Sequence, residues 1–308
     1  MLTLNLPTNR SLRDSRTAID AAVNFSLQTG ARLIIVNSNH DPEKIEYLRR
    51  IESNIDFAKC IINDPKNSNL EIAARQKQMG FSAFLADDDI LYCLRLFNAE
   101  VLSEVPASIV GIIPQVQIFS KNGIEKINRI NSGADGEINP RHFGASSSGA
   151  NTGLYGWYRS EVWVAGMLAA TRSPSFKVGV FDWPFSLAMS CLGAVATDNN
   201  TVYAYDISNW KGDPSFVNKQ VEELFVAAGF DKGLAKVLGR IKLLDFFVIL
   251  SGIQSSLGVG VKEEVIDAAT MCLCGLLLTR KNVAESIDRI GEIDSSFAYR
   301  FESVLPKF

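Results

Sequence analysis

Asp87, Asp88 and Asp89 are three consecutive carboxylates at the end of the apolar, aromatic run that begins at Phe81. Adjacent carboxylates repel and raise one another's pKa values unless a cation or hydrogen-bond donors offset the charge. A divalent ion is one natural partner, and phosphate handling is the chemistry that follows. Acid clusters in loops are also what solvated turns and helix caps look like, so the surroundings must decide. A second candidate is Asp182, in Phe181-Asp182-Trp183-Pro184. Pro184 in a first turn marks Asp182 as a helix N-cap, and a carboxylate at that corner could also serve as a general base.

The elements that would position these groups follow from hydrophobic period. Phe81 to Ile90, preceded by Gly80, is apolar on both faces and predicts a central strand covered by helices. Leu2–Leu6 predicts a first strand, ending in the loop Pro7-Thr8-Asn9-Arg10. Ser11-Leu12-Arg13-Asp14 then fits a capping box, and Gly30 a C-cap. Further strands are expected over 31–36 and 57–62, with helices over 42–53 and from an Asn69 cap to Met79. This alternation implies an α/β fold, a mostly parallel Rossmann-like sheet flanked by helices, and such sheets bind ligands at the carboxyl ends of their strands. Beyond the acids, 107–113 and 115–119 read as strands separated by a bend at Pro114. The Gly/Ser/Asn-rich segment 131–153 predicts a loop, Tyr155, Trp157 and Tyr158 are expected in the core with a sugar-stacking surface as the alternative, and 176–181 and 201–205 predict strands.

From about Ser215 the pattern becomes helical, with helices expected over 221–228, 234–251, 263–278 and 283–290. The domain division is therefore 1–214 and 215–308, the second part a helical domain. Its apolar stretch 241–261 is interrupted by Lys242, Asp245 and Gln254, which favours a bundle helix over a membrane span; a membrane-surface contact or a homodimer face is left open.

Composition narrows the class. With 308 residues, 47% apolar and 21% charged, the chain has the make-up of a soluble globular protein. A net charge of −3 gives no basic field for nucleic acid. Five scattered cysteines suggest reduced thiols, and two histidines leave a histidine-rich zinc site without ligands. Met1 runs straight into Leu2–Leu6 with no leader pattern, so a cytoplasmic location is expected, peripheral to the inner face of the membrane.

Over residues 2–212 the order of parts resembles a glycosyltransferase of the GT-A fold, close to the broad family 2 type. Leu6-Pro7-Thr8-Asn9-Arg10 looks like the family's first loop. Ile34-Ile35-Val36-Asn37-Ser38-Asn39 stands where its second strand ends in acids that hold the nucleotide base. Ala74-Arg75-Gln76 and Phe84-Leu85-Ala86-Asp87-Asp88-Asp89 resemble its Ala-Arg-Asn helix and its Phe-Leu-Asp-x-Asp-Asp strand end. Gly153–Arg159 is similar to the acceptor-side strand, Phe181-Asp182 to the pair containing the base of inverting members, and Tyr203 with Tyr205 to the aromatic strand after it.

The resemblance implies an inverting, metal-dependent transferase for surface polysaccharide or glycolipid synthesis. Its donor would be a UDP- or GDP-sugar and its acceptor a saccharide or lipid-linked hydroxyl. Pro7, Thr8, Asn9, Arg10, Asn37, Asn39, Arg75, Asp87 and Asp88 would contact the nucleotide. Mn²⁺ or Mg²⁺ would be held by Asp87 with Asp89, or by Asp88 with Asp89, since Ala86 occupies the place of the first family aspartate. Asp182 would be the base, Arg75, Arg159 or Lys211 would share the leaving-group charge, and the 131–153 loop would close over the donor. A sugar-phosphate nucleotidyltransferase is the enzymatic alternative, although Pro7–Arg10 lacks the glycines of a phosphate loop. Asparagine, alanine and phenylalanine at positions 37, 86 and 181 also leave room for a non-catalytic protein that keeps the fold.

Overall fold

The computed structural model describes residues 1–95, 98–120, 123–128, 152–208, 214–274 and 283–306. The first half follows the expected alternation: β1 (Leu2–Thr8), α1 (Leu12–Thr29), β2 (Arg32–Asn37), α2 (Pro42–Asn54), β3 (Ala58–Ile62), α3 (Asn69–Ala74) and β4 (Phe81–Phe84). Ser11 caps α1 by accepting from the amide of Asp14, whose own carboxylate takes the Ser11 hydroxyl rather than an amide, and Gly30 ends the helix in the left-handed conformation. The remaining strands are β5 (Ile90–Cys93), β6 (Ile109–Ser120), β7 (Gly123–Asn128), β8 (Trp157–Arg159) and β9 (Ala194–Asp206).

These strands form one sheet in the order β3-β2-β1-β4-β8-β6-β9-β5, with β7 on β6. The β3-β2-β1-β4 half is parallel, as is β6 with β9. Antiparallel pairing enters through β8, β5 and β7, so the sheet is mixed outside its first half. Both faces are buried. On β2, Leu33 and Ile35 face the main core while Ile34 and Val36 face a smaller cluster with Ala73 of α3. On β1, Leu2, Leu4 and Leu6 join the main core, and each is worth roughly 1.5–3 kcal/mol of burial.

The other helices are α4 (Ser160–Ala170), α5 (Asp182–Ser190), α6 (Pro214–Ala227), α7 (Leu238–Leu257), α8 (Glu263–Cys274), α9 (Val283–Gly291) and α10 (Ser295–Val304). The apolar helix α7 lies against α4 and α5, and its residues from Ile241 to Ile253 share the main core with the sheet. Among the described residues no helix is long and apolar enough to cross a membrane.

Several local expectations are corrected. The helix expected to reach Met79 ends at Ala74 and is capped by Ser68, because Gln78 and Met79 turn to bond Asn5 and Thr3 of β1. The strand expected through Ile90 stops at Phe84. The acids then form a turn, and Ile90 opens β5 at the far edge of the sheet. Residues 176–181 form no strand: Pro174–Val178 is a 3-10 helix closed by Gly179 at φ 73°, with Phe176 packed on Phe181 at 5.0 Å. The α5 helix starts at Asp182 itself, so Phe181 holds the cap position expected for Asp182. Pro114 sits inside the single strand β6, where the register against β9 shifts between Pro114 and Gln115, the irregularity a missing N–H demands. Tyr155, Trp157 and Tyr158 are buried, as expected.

Gly80 delivers the chain to β4 at φ 65°, and an added Cβ would lie 2.3 Å from the Met1 carbonyl oxygen. Gly30 has φ 73° with nothing within 4 Å of its added Cβ. Gly30→Ala should therefore cost about 1–2 kcal/mol for the backbone conformation alone. Gly80→Ala should cost clearly more, since the first strand pair must also shift; urea denaturation of the two variants checks the order.

Candidate functional site

Parallel pairing of β1 with β4 aligns Leu2–Asn5 with Phe81–Phe84, so the loop after Thr8 and the turn after Phe84 leave the sheet side by side at its carboxyl edge. A directed chain of hydrogen bonds joins them. Lys44 of α2 donates to Thr8 Oγ1 at 2.7 Å and to the Arg10 carbonyl at 2.7 Å; Thr8 Oγ1 in turn donates to Asp87 Oδ2 at 2.7 Å. Arg10 then bridges the acids, Nε to Asp87 Oδ1 at 3.0 Å and Nη2 to Asp88 Oδ2 at 2.6 Å. Lys44 has no solvent exposure, and burial lowers its ammonium to about 8 against the opposing pull of Asp87 and Asp41. Burial raises Asp88, with Arg10 working against the rise.

Asp89 points the other way. Tyr203 donates to its Oδ2 at 2.8 Å and the amide of Asp206 to its Oδ1 at 2.9 Å, while Tyr203 accepts from the Ala86 amide at 3.0 Å. Burial pushes Asp89 up to about 8 despite the Asp206 amide. Of the expected metal ligands, Asp87 lies on the loop side of the turn with Asp88, and Asp89 is tied back to β9.

Asn37 and Asn39 are stitched into their own loop. Asn37 donates to the Asn39 carbonyl at 2.6 Å, and Asn39 donates to the Asn9 carbonyl at 3.0 Å while accepting from the Asp41 amide at 2.8 Å. Asn69 joins this loop to the first by donating to the Thr8 carbonyl and to Ser38 Oγ, both at 2.9 Å. Pro7 is the ladder partner of Val36. Arg75 is in an exposed pair with Glu71 at 2.7 Å and has no bond to the acids. Arg159, expected to share the leaving-group charge, sits at the opposite end of β4 and donates to the carbonyls of Val105, Pro106 and Ile109. Lys211 and all but the last two residues of the 131–153 loop lie outside the described residues.

Asp182 approaches the same region from α5. Tyr155 stacks on Tyr203 at 4.0 Å and lies 5.3 Å from Tyr205. Burial raises Tyr155 and Tyr205, and the negative charges of Asp89 and Asp182 push each further in the same direction. Asp182 Oδ1 is 3.5 Å from Lys242 of α7, whose ammonium also lies 5.8 Å from the centre of the Trp183 ring. One turn along α7, the fully buried Asp245 accepts from Ser173 and Ser175, clamping the helix to the segment that carries Asp182.

Sequence reasoning missed Lys44, Asp206 and the reach of Lys242. Lys44 had a usable signal: it falls in register with Leu48 and Ile51, on the buried face of α2. The arrangement offers a pair of carboxylates bridged by an arginine and, on α5, a partly exposed carboxylate paired with Lys242.

No family model matches this chain, and no curated protein matches it. Among solved structures it is similar to S. aureus TarS 1–349 in complex with UDP, at TM-score 0.46 and 12% identity over 98% of this chain and 90% of that one. It is also similar to the mannosyltransferase PcManGT from Pyrobaculum calidifontis in complex with GDP-Man and Mn²⁺, at TM-score 0.41 and 10% identity over 98% and 85% of the two chains. A third is GalNAc-T7 with UDP, GalNAc and Mn²⁺, at 0.43 and 10% over 94% and 57%. At such identities and scores the likeness concerns the path of the chain and says nothing about residues or substrate.

Burial holds Asp245 at about 7, above its ordinary 3.8, with Asp182 adding to the rise and Ser173, Ser175 and Lys242 opposing it. The folded form thus keeps a proton that the unfolded chain has released. Its contribution to stability is complete below about pH 4 and lost as pH rises through about 7. Melting temperature should fall across that window, and Asp245→Asn should flatten the fall; an unchanged slope in the variant would refute the assignment.

Proposed function

We propose that this chain is an inverting glycosyltransferase that moves a sugar from a UDP- or GDP-sugar to a hydroxyl of a saccharide or lipid-linked acceptor. The carrying observation is the joining of the Thr8–Arg10 loop to the Asp87–Asp88 turn at the carboxyl edge of the parallel strands. The GT-A resemblance of Pro7–Arg10, Asp87–Asp89 and Asp182 supports the same reading.

A divalent ion suits this turn. Asp87 and Asp88 are hard oxygen donors that already face one cation, the guanidinium of Arg10, which supports this reading. Among the described residues no three acidic, cysteine or histidine side chains form a cage. Mn²⁺ or Mg²⁺ would be held by Asp87 and Asp88. When bound, the ion neutralises the charge that gathers on the departing diphosphate. Asn9, Asn37 and Asn39 shape the loop beside the nucleotide, and Lys44 and Thr8 fix Asp87. Asp182 accepts the proton of the acceptor hydroxyl as its oxygen bonds the anomeric carbon and the bond to the β-phosphate oxygen breaks. A role in surface polysaccharide or glycolipid synthesis, at the inner face of a membrane, would fit such an acceptor.

Asp182→Asn removes the proton acceptor while preserving its shape. Transfer from the preferred donor, followed by release of the nucleoside diphosphate, should fall about 10²–10⁴-fold with nucleotide affinity unchanged. Full activity in this variant would remove Asp182 from the mechanism, and the product anomer, read by NMR, tests inversion.

A further inference from the structure

Arg10 stands where two expectations meet. Its sequence position belongs to the loop assigned to the nucleotide, yet its guanidinium is spent on the two carboxylates assigned to the ion. The side chain is 39% exposed and lies on the solvent side of Asp87 and Asp88, at 12% and 26%. Its backbone, by contrast, is fixed: Lys44, buried beneath, holds the Arg10 carbonyl, and Thr8 is tied to Asp87. The residue is thus anchored at its main chain, while its side chain is held only by the two carboxylates and is open to solvent on one side.

Charge bookkeeping gives that swing a direction. Arg10 and Lys44 offset Asp87 and Asp88, while Asp41 acts on Lys44 and Asp206 on Asp88, so the guanidinium is the cation in direct contact with both acids. An entering divalent ion would add two charges and repel the guanidinium from the same oxygens. A diphosphate arriving with the ion restores the balance, and the planar fork of arginine suits phosphate oxygens as well as it suits carboxylates. Building on the donor site proposed above, we propose that Arg10 is an exchangeable cation: it holds Asp87 and Asp88 until a divalent ion takes them, then turns its guanidinium to the donor's diphosphate. Ion and nucleotide consequently assist each other, because either one alone must work against the resting ion pair.

This predicts effects of opposite sign from one substitution. Calorimetric titration of Mn²⁺ alone into the full chain should show about 3–10-fold tighter binding in Arg10→Gln than in wild type, the size expected from losing two partly exposed ion pairs. UDP or GDP in the presence of Mn²⁺ should bind the same variant about 10-fold or more weakly, as loss of a charged phosphate contact requires. Arg10→Lys, which keeps the charge without the fork, should fall between on both counts and guards against a misfolded variant. Unchanged or weaker Mn²⁺ binding in Arg10→Gln, unchanged nucleotide binding, or no Mn²⁺ binding to any of the proteins would overturn the proposal. If Mn²⁺ binding tightens in Arg10→Gln while neither diphosphate binds wild type, the resting competition holds, and both the swing to phosphate and the donor-site reading fall.

Discussion

Closing off a carboxylate as far as Asp87 costs several kcal/mol unless donors replace its water, and much of the site follows from how that cost is met. Thr8 and Arg10 supply the donors, and Thr8 can direct its proton to Asp87 because Lys44 occupies its lone pair. That single chain of contacts ties α2 to β1 and β1 to the turn after β4. It also explains a lysine with no exposure: Lys44 is buried because a second charge is buried 2 bonds away along the same chain. Remove the carboxylate and the lysine loses the charge that favours its ammonium most; remove the lysine and the loop carrying Arg10 loses its anchor.

The first half of the fold was legible because its signals are local. Capping by Ser11, the left-handed Gly30, and strands apolar on both faces are written within a few residues, and the elements from β1 to β3 fall where they were expected. The later strands were harder because their partners are remote. Nothing near Ile90–Cys93 announces that it will pair with Thr201–Ala204 at the opposite edge from β3, and Pro114 signals an irregularity without showing that β6 continues through it and that β9 is the strand whose register shifts. Phe176–Phe181 misled for a related reason: an apolar aromatic run reads as a strand, but Pro174 and Gly179 bracket it into a turn.

The site was legible in its residue types and less so in their directions. Asp87, Asp88 and Asp182 stand out in the sequence as candidates because they are acids at the ends of apolar runs. Which way each points depends on contacts that no spacing reveals: Asp89 is drawn to Tyr203 and Asp206, and Asn37 and Asn39 are consumed by their own loop. The helical part held the largest surprise. Lys242 reads as a mere interruption in an apolar stretch, yet it reaches Asp182, and Asp245 beside it clamps α7 to the same segment. The helices after Pro214 thus supply contacts to the candidate base, whatever else they bind.

The central claim is that the Thr8–Arg10 loop and the Asp87–Asp88 turn make one site for a metal-bound diphosphate. Calorimetry of UDP and GDP against the full chain, with Mn²⁺ and with EDTA, in wild type and Asp88→Asn, tests it most directly. The account predicts that one diphosphate binds, that EDTA abolishes binding, and that Asp88→Asn weakens it about 10-fold or more. Binding of neither diphosphate to folded protein, or binding indifferent to both EDTA and the substitution, would contradict it.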